Sequence, residues 1–297
     1  MDRKPDLKAA LAAVTEVPAA RLSLGELIDS WFTTNIDQQN PRLAKWREPF
    51  ADISAWDVTS EQIVVCANAL IDAGYKPSTV NRDISALGSA YKWAKRNRLT
   101  PRGFVSPTLG VERFTETPRR IELSKADLQR VLLRARGFRD ARFGAFIALI
   151  VDSGARRNEV LERHWRDVDL DAGTIHCPTT KTGVPRVLHF RPETAKLLRR
   201  VWRSRNPDDL LFEGKVKGTV ITYKTSWDKL TRELGLEWLH LHDLRHVAAA
   251  DLLRSGVTIA VAAQVLGHSP KILASRYGHL EIGALRAAQE QRWGAAA

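Results

Sequence analysis

The sequence predicts a mainly α-helical protein with a small antiparallel β-sheet, organised as two domains. Three observations predict it. Apolar residues recur at helical spacing through most of both halves, and short strand-like pieces occur between Asp167 and Phe190. An aperiodic stretch from Pro101 to Arg120, containing Pro107, Pro118, Arg119 and Arg120, divides the chain. At 297 residues there is enough sequence for each half to bury its own core.

The elements follow in order. Residues 1–20, with Pro5, Pro18 and several alanines, read as a weakly ordered lead-in. After Ser23, the residues Leu24, Leu27, Ile28 and Trp31 form one helical face. Thr59 and Gln62 bracket a capping box ahead of Ile63, Val64 and Ala67, and Gly74 ends that helix. Pro77 opens a long helix through Val80, Ile84, Leu87 and Tyr91, which closes in the basic cluster Lys92, Lys95, Arg96 and Arg98. That cluster is either a phosphate-contacting surface or a solvated helix end. These elements make up a helical domain over 21–112, and 113–121 reads as a basic linker.

The second domain, 122–297, opens with a helix capped by Ser124. A more apolar helix follows from Ala141 to Asp152, with Gly154 placed to end it. A further helix carries Val160, Leu161 and Trp165. Strand-like pieces at Asp167–Leu170, Thr174–Cys177 and Pro185–Phe190 are separated by Asp171-Ala172-Gly173 and Thr182-Gly183 turns. From Pro192 onward the pattern is helical again, and the tail after Leu280, with Ile282, Leu285 and Trp293, reads as an amphipathic helix.

Composition narrows the partner. Forty-six Lys and Arg against 34 Asp and Glu give a formal net charge of +12. Such an excess suits a polyanion, because cations that displace counterions from phosphates drive much of nucleic-acid affinity. Cys66 and Cys177 are far apart and outside any Cys-x-x-Cys spacing, which argues against a disulfide framework or a cysteine-built zinc site. The longest apolar stretch, Phe146 to Val151, stops at Asp152, too short to span a bilayer, and Met1 to Leu11 has no signal-like apolar core. The expectation is a cytoplasmic protein without a membrane segment.

Five segments of the second half place polar residues where packing alone does not ask for them. They are Ser153-Gly154-Ala155-Arg156-Arg157-Asn158-Glu159, Thr180-Lys181-Thr182-Gly183, His242-Asp243-Leu244-Arg245-His246, Leu266-Gly267-His268-Ser269-Pro270 and Arg276-Tyr277-Gly278-His279. Singly, each has a bland reading. A Glu in a first helical turn favours the helix dipole, and a lysine on a turn is solvated. The spacing His242–His246 also fits a zinc helix, but Arg245 would set a fixed cation beside the metal.

In joint order and spacing, G-x-R-x-x-E, a hairpin lysine, H-x-x-R-H, L-G-H-S and an Arg-Tyr pair nine residues past that histidine closely resemble the tyrosine recombinase (phage integrase) family. The resemblance covers roughly residues 121–290, and the helical segment before it looks like that family's core-binding domain. It implies a two-domain architecture, with a helical core-binding domain and a mixed α/β catalytic domain.

It further implies that Arg156 and Arg245 are the two catalytic arginines, Lys181 the β-hairpin lysine and Tyr277 the nucleophile. His242 and His268 match the two histidine positions, and Glu159 is the supporting acid. Val247-Ala248-Ala249 stands where Thr-Phe-Ala is more usual, which bears on packing more than on chemistry.

The chemistry fits the residue types. Attack on a phosphodiester adds charge to its non-bridging oxygens, which paired guanidinium donors stabilise. A phenol of ordinary pKa about 10 needs a base, and His242 is the candidate. Lys181 would protonate the leaving 5′ oxygen, and His268 would donate to the phosphate.

The resemblance therefore implies a site-specific recombinase that forms a 3′-phosphotyrosyl bond and integrates or excises a mobile element. It would act on double-stranded DNA as a homotetramer over two sites, with accessory or directionality proteins and without metal or nucleotide cofactor. Its tail would dock on a neighbouring protomer. A Xer-like resolvase of chromosome or plasmid multimers, a type IB topoisomerase and a catalytically inactive DNA-binding protein are the alternatives.

Overall fold

The computed structural model describes residues 22–35, 41–117, 119, 121–178, 184–202, 206–278 and 289–290. The chain is mainly helical with one three-stranded antiparallel sheet, and it divides into two compact units, 1–119 and 120–297.

The first unit holds α1 (Leu24–Thr34), α2 (Pro41–Arg47), α3 (Ser60–Asp72) and α4 (Pro77–Arg96). Helix α1 starts in a capping box in which Ser23 and Glu26 each accept the other's backbone N–H. Thr59 and Gln62 do the same for α3, at 3.3 and 3.0 Å. The apolar faces close on one core that includes Leu24, Leu27, Ile28, Trp46, Ile63 and Ile84. One carboxylate is buried there: Asp83 takes Arg42 at 2.9 Å and Lys45 at 2.6 Å. Removing either cation leaves a charge short of partners in an apolar setting, which is destabilising.

The stretch read as a linker begins as part of this unit. Asn81 of α4 accepts the Phe114 N–H at 3.0 Å and donates to the Phe114 carbonyl at 2.9 Å, and Phe114 packs on the core. A single clamped residue in an aperiodic extended segment leaves no repeat in the sequence to reveal it. A 3₁₀ turn at Pro107–Gly110 also interrupts the aperiodic stretch.

In the second unit, α5 (Lys125–Arg136) and α6 (Ala141–Ser153) precede a short α7 (Arg157–Leu161). Strands β1 (Val168–Asp169), β2 (Thr174–Cys177) and β3 (Arg186–His189) form the sheet, in that order, with Thr174 opposite His189 and Cys177 opposite Arg186. Then come α8 (Pro192–Val201), α9 (Lys224–Leu234), α10 (Asp243–Arg254), α11 (Ile259–Leu266) and α12 (Pro270–Tyr277).

Helix α6 is buried from Phe143 to Ile150 and forms the centre of the main core. A smaller cluster, with Leu253, Ala263, Leu266 and Leu273, joins α10, α11 and α12, and Tyr277 packs against it.

One expected helix is shorter than its apolar pattern implied. Helix α7 ends at Leu161, and Trp165 lies in a 3₁₀ turn, Trp165–Asp167. Hydrogen bonds from Trp165 N to Asp209 O (3.1 Å) and from Leu211 N to the Arg163 carbonyl (2.7 Å) take the backbone groups that a continued helix would use. Strand β2 has the expected bounds, while β1 and β3 are each one residue shorter than expected at both ends. Among the described residues no helix is long and apolar enough to cross a membrane.

Candidate active site

Two helix ends build the floor of the site. Helix α6 stops at Gly154, whose φ is +58°, and α11 stops at Gly267, whose φ is +62°. A helix C-terminus carries unpaired carbonyls and partial negative charge, so it attracts cations. Arg245, on the first turn of α10, is 1% exposed and donates to the Gly154 carbonyl at 2.7 Å and the Leu266 carbonyl at 2.5 Å. Arg156 donates to the Gly267 carbonyl at 2.9 Å. Both arginines are thus fixed by backbone at opposite sides of one corner.

Glu159 ties the arginines together. Sitting three residues into the Arg156 turn, it accepts the Arg156 backbone N–H at 2.8 Å and the Arg156 Nη1 at 2.7 Å. Arg186 Nη2 lies 3.0 Å and Arg245 Nη1 3.9 Å from Oε2, the oxygen that accepts the Arg156 backbone N–H. Burial alone would raise its pKa, but the Arg156 N–H and the Arg186 and Arg156 guanidiniums outweigh that and hold it below the usual carboxylate value.

His268 follows Gly267 in the corner and accepts from Arg245 Nε at 3.3 Å through Nε2. That bond places its proton on Nδ1, a buried atom with no hydrogen-bond partner among the described residues. Burial first, then Arg245 and Arg156, pushes its pKa down to about 3. Ser269 caps α12 by accepting the Ile272 N–H at 3.3 Å, which directs the helix that ends in Tyr277.

The Tyr277 hydroxyl hydrogen-bonds to Nδ1 of His246. His242 was the expected base; the structure instead sets it edge-on to His246, with ring centroids 5.2 Å apart. His246 has its pKa lowered to about 4 by burial, then by His242 and Arg276, so it is neutral at pH 7. Burial also raises the Tyr277 pKa, against the pull of Arg276 and Arg245. Arg276 Nη1 lies 3.5 Å from His246 Nε2. With its proton on Nε2, His246 can take the phenol proton; with its proton on Nδ1, it can donate to a phenolate.

Arg156, Glu159, Arg245, His268 and Tyr277 are therefore assembled within one unit from four separated segments. A cavity of about 690 Å³ opens beside them, lined by Arg156, Arg157, Asn158, Glu162, Leu241 and His242. Lys181 lies outside the described residues, although β2 and β3, which flank it, pair as a hairpin. Arg120 and nearly all of the expected tail helix also lie outside. Lys92, Lys95 and Arg96 are exposed at the end of α4, and Arg119 is exposed as well.

Two participants were not singled out from sequence. His246 was visible as the last residue of H-x-x-R-H, but its contact with a tyrosine 31 positions away is tertiary. Arg186 stands in a strand without any motif to mark it. Among the described residues no group of three or more His, Cys, Asp or Glu could hold a metal ion.

Comparison with known proteins extends the picture. The chain is 32% identical over 167 residues to tyrosine recombinase XerA of Saccharolobus solfataricus, covering 55% of this chain and 54% of that one, so it spans about half the relative's length. Its fold is similar to that of the Tn1549 transposon integrase in complex with transposon right end DNA, with a TM-score of 0.70, 16% identity and coverage of 91% and 99%. It is also similar to a lambda integrase tetramer bound to a Holliday junction, with a TM-score of 0.58, 16% identity and coverage of 90% and 82%. The description of the phage integrase family matches residues 123–282, more than half of the sequence and all of the site described above, and the chain belongs to that family.

Proposed function

We propose that this protein is a site-specific DNA recombinase that breaks and rejoins strands through Tyr277. The observation that carries the reading is the convergence of two backbone-anchored arginines, a histidine and a histidine-bound tyrosine at one corner. Two fixed cations are suited to a phosphodiester and to the charge that builds on its oxygens during attack.

In the reaction, the Tyr277 hydroxyl oxygen attacks phosphorus as its proton passes to His246, with His242 behind it. The bond from phosphorus to the 5′ oxygen breaks, that oxygen takes a proton, and a 3′-phosphotyrosyl bond remains. Arg156 and Arg245 hold the non-bridging oxygens, and His268, which accepts from Arg245 Nε, orients that guanidinium. Lys181 as the proton donor rests on the family resemblance. A 5′-hydroxyl from a second strand then attacks the phosphotyrosine and releases Tyr277. One phosphodiester replaces another, so the cycle needs no nucleotide hydrolysis and no metal.

The substrate is double-stranded DNA, recognised by the basic surface that the net charge of +12 provides, with Lys92, Lys95, Arg96, Arg119 and Arg120 as backbone contacts. We take the assembly to be a homotetramer on two sites, in line with the lambda integrase assembly, with the tail after Leu280 docking between protomers. The role is integration or excision of a mobile element. The similarity to XerA favours a second role, resolution of chromosome or plasmid multimers.

Plasmids carrying the DNA that flanks the gene test both. Joining of two different sites, one from each plasmid, is the integrase outcome. Resolution of a directly repeated single site is the Xer outcome, and relaxation of any plasmid without joining would contradict both.

A further inference from the structure

Arg186 belongs to none of the motifs, yet its side chain is only 9% exposed and lies directly under the site. Strand β3 sets it opposite Cys177, and its Nη1 donates to the Val265 carbonyl at 3.3 Å. A Cβ on Gly267 would come 2.6 Å from that Nη1, so the Arg186 side chain packs closely against the corner that carries His268. Toward Glu159 the contact is 3.0 Å from Nη2 to Oε2. Neither Nη2 nor Nε makes an aligned hydrogen bond among the described residues, so the contact is one of charge rather than of forked donors.

We infer that Arg186 is a positioning residue that offsets the Glu159 carboxylate, leaving Arg156 and Arg245 with their full charge for the scissile phosphate. Glu159 is needed to fix Arg156, but a carboxylate here also repels a phosphate. Three guanidiniums against one carboxylate leave two net positive charges. Without Arg186, one remains. Arg186 contacts Glu159 and the Val265 carbonyl and belongs to none of the phosphate-binding motifs, so it acts through Glu159. Its field reaches the other arginine too: burial, Arg156 and Arg186 together bring the Arg245 pKa down to about 9, still protonated at neutral pH.

This inference rests on the recombinase reading, and the test separates the two. Single-turnover cleavage of a nicked duplex is measured for wild type, Arg186→Met, Arg186→Lys, and Arg186→Met combined with Glu159→Gln, with unfolding temperatures taken alongside. Arg186→Met should slow cleavage about 10–100-fold, less than the roughly 10²–10³ lost with a direct transition-state donor, because Arg186 acts through Glu159. Lysine, which keeps the charge, should recover about tenfold of that. The double variant restores two net charges and should cleave about tenfold faster than Arg186→Met, a coupling opposite to that of two independent losses.

A double variant as slow as Arg186→Met, or a lysine variant no better than methionine, would overturn the inference and leave Arg186 a packing residue. A wild type that forms no adduct would instead refute the recombinase reading. Should Arg186→Met not fold, Arg186→Gln with and without Glu159→Gln carries the same comparison. If neither folds, a loss of more than about thirtyfold in Arg186→Lys overturns it.

Discussion

At Tyr277, burial and charge pull in opposite directions. Burial holds the phenol protonated, while Arg276 and Arg245 favour its anion. The three histidines nearby are all pushed toward the neutral form, His268 to about 3 and His246 to about 4. Neutral imidazoles can accept or share a phenol proton; protonated ones would crowd a site already dense in cations. A phosphate entering this corner adds a negative charge and should raise those histidines. Histidine NMR titrations should show His246 neutral down to about pH 5 in free protein and shifted upward with bound DNA. An unchanged or lowered value on binding would place the phosphate elsewhere. The free protein should also lose stability as pH falls. An unfolded histidine takes its proton near 6.5, and the folded His246 takes it only near 4. Between those values the unfolded state binds more protons, so melting temperature should drop across that window.

At the scale of elements, the site is made by helix ends rather than by helix faces. Gly154 supplies a carbonyl to Arg245 and needs its positive φ of +58°, and a Cβ there would sit 2.4 Å from Leu266 Cδ2. Gly154→Ala should therefore cost about 2–3 kcal/mol in urea unfolding and also impair cleavage, since the carbonyl shifts. A cost below about 0.5 kcal/mol would mean the α6 terminus adapts freely.

These ends were legible in the sequence because capping is local. Gly154 ends α6, Thr59 and Gln62 start α3, and Pro77 starts α4, as their residue types imply. Trp165 was not legible, because its turn depends on hydrogen bonds to a strand-like segment more than 40 residues later. Arg186 was hidden for a related reason. Whether a strand residue faces the core depends on what covers the sheet, and no spacing rule reports that. His246 was named by its motif, but its partner was set by how α12 folds back.

For the molecule as a whole, the chain divides into two compact units, as the sequence patterning implies. All residues of the assembled site lie in the second unit, within the span matched by the family description. The first unit has its own closed core and carries an exposed basic terminus at the end of α4. The excess of cations is a property of the entire chain, and it favours a nucleic-acid partner irrespective of which bond is attacked.

What distinguishes a recombinase from a basic DNA-binding protein is the covalent intermediate. The decisive measurement is trapping on a nicked duplex bearing the target site, in which the cleaved fragment is lost and the adduct cannot reverse. Wild type should yield a covalent protein–DNA species whose digestion maps the linkage to Tyr277, and Tyr277→Phe should bind the same duplex and yield none. Equal adduct from both proteins, or none from wild type on DNA that it binds specifically, would contradict the account.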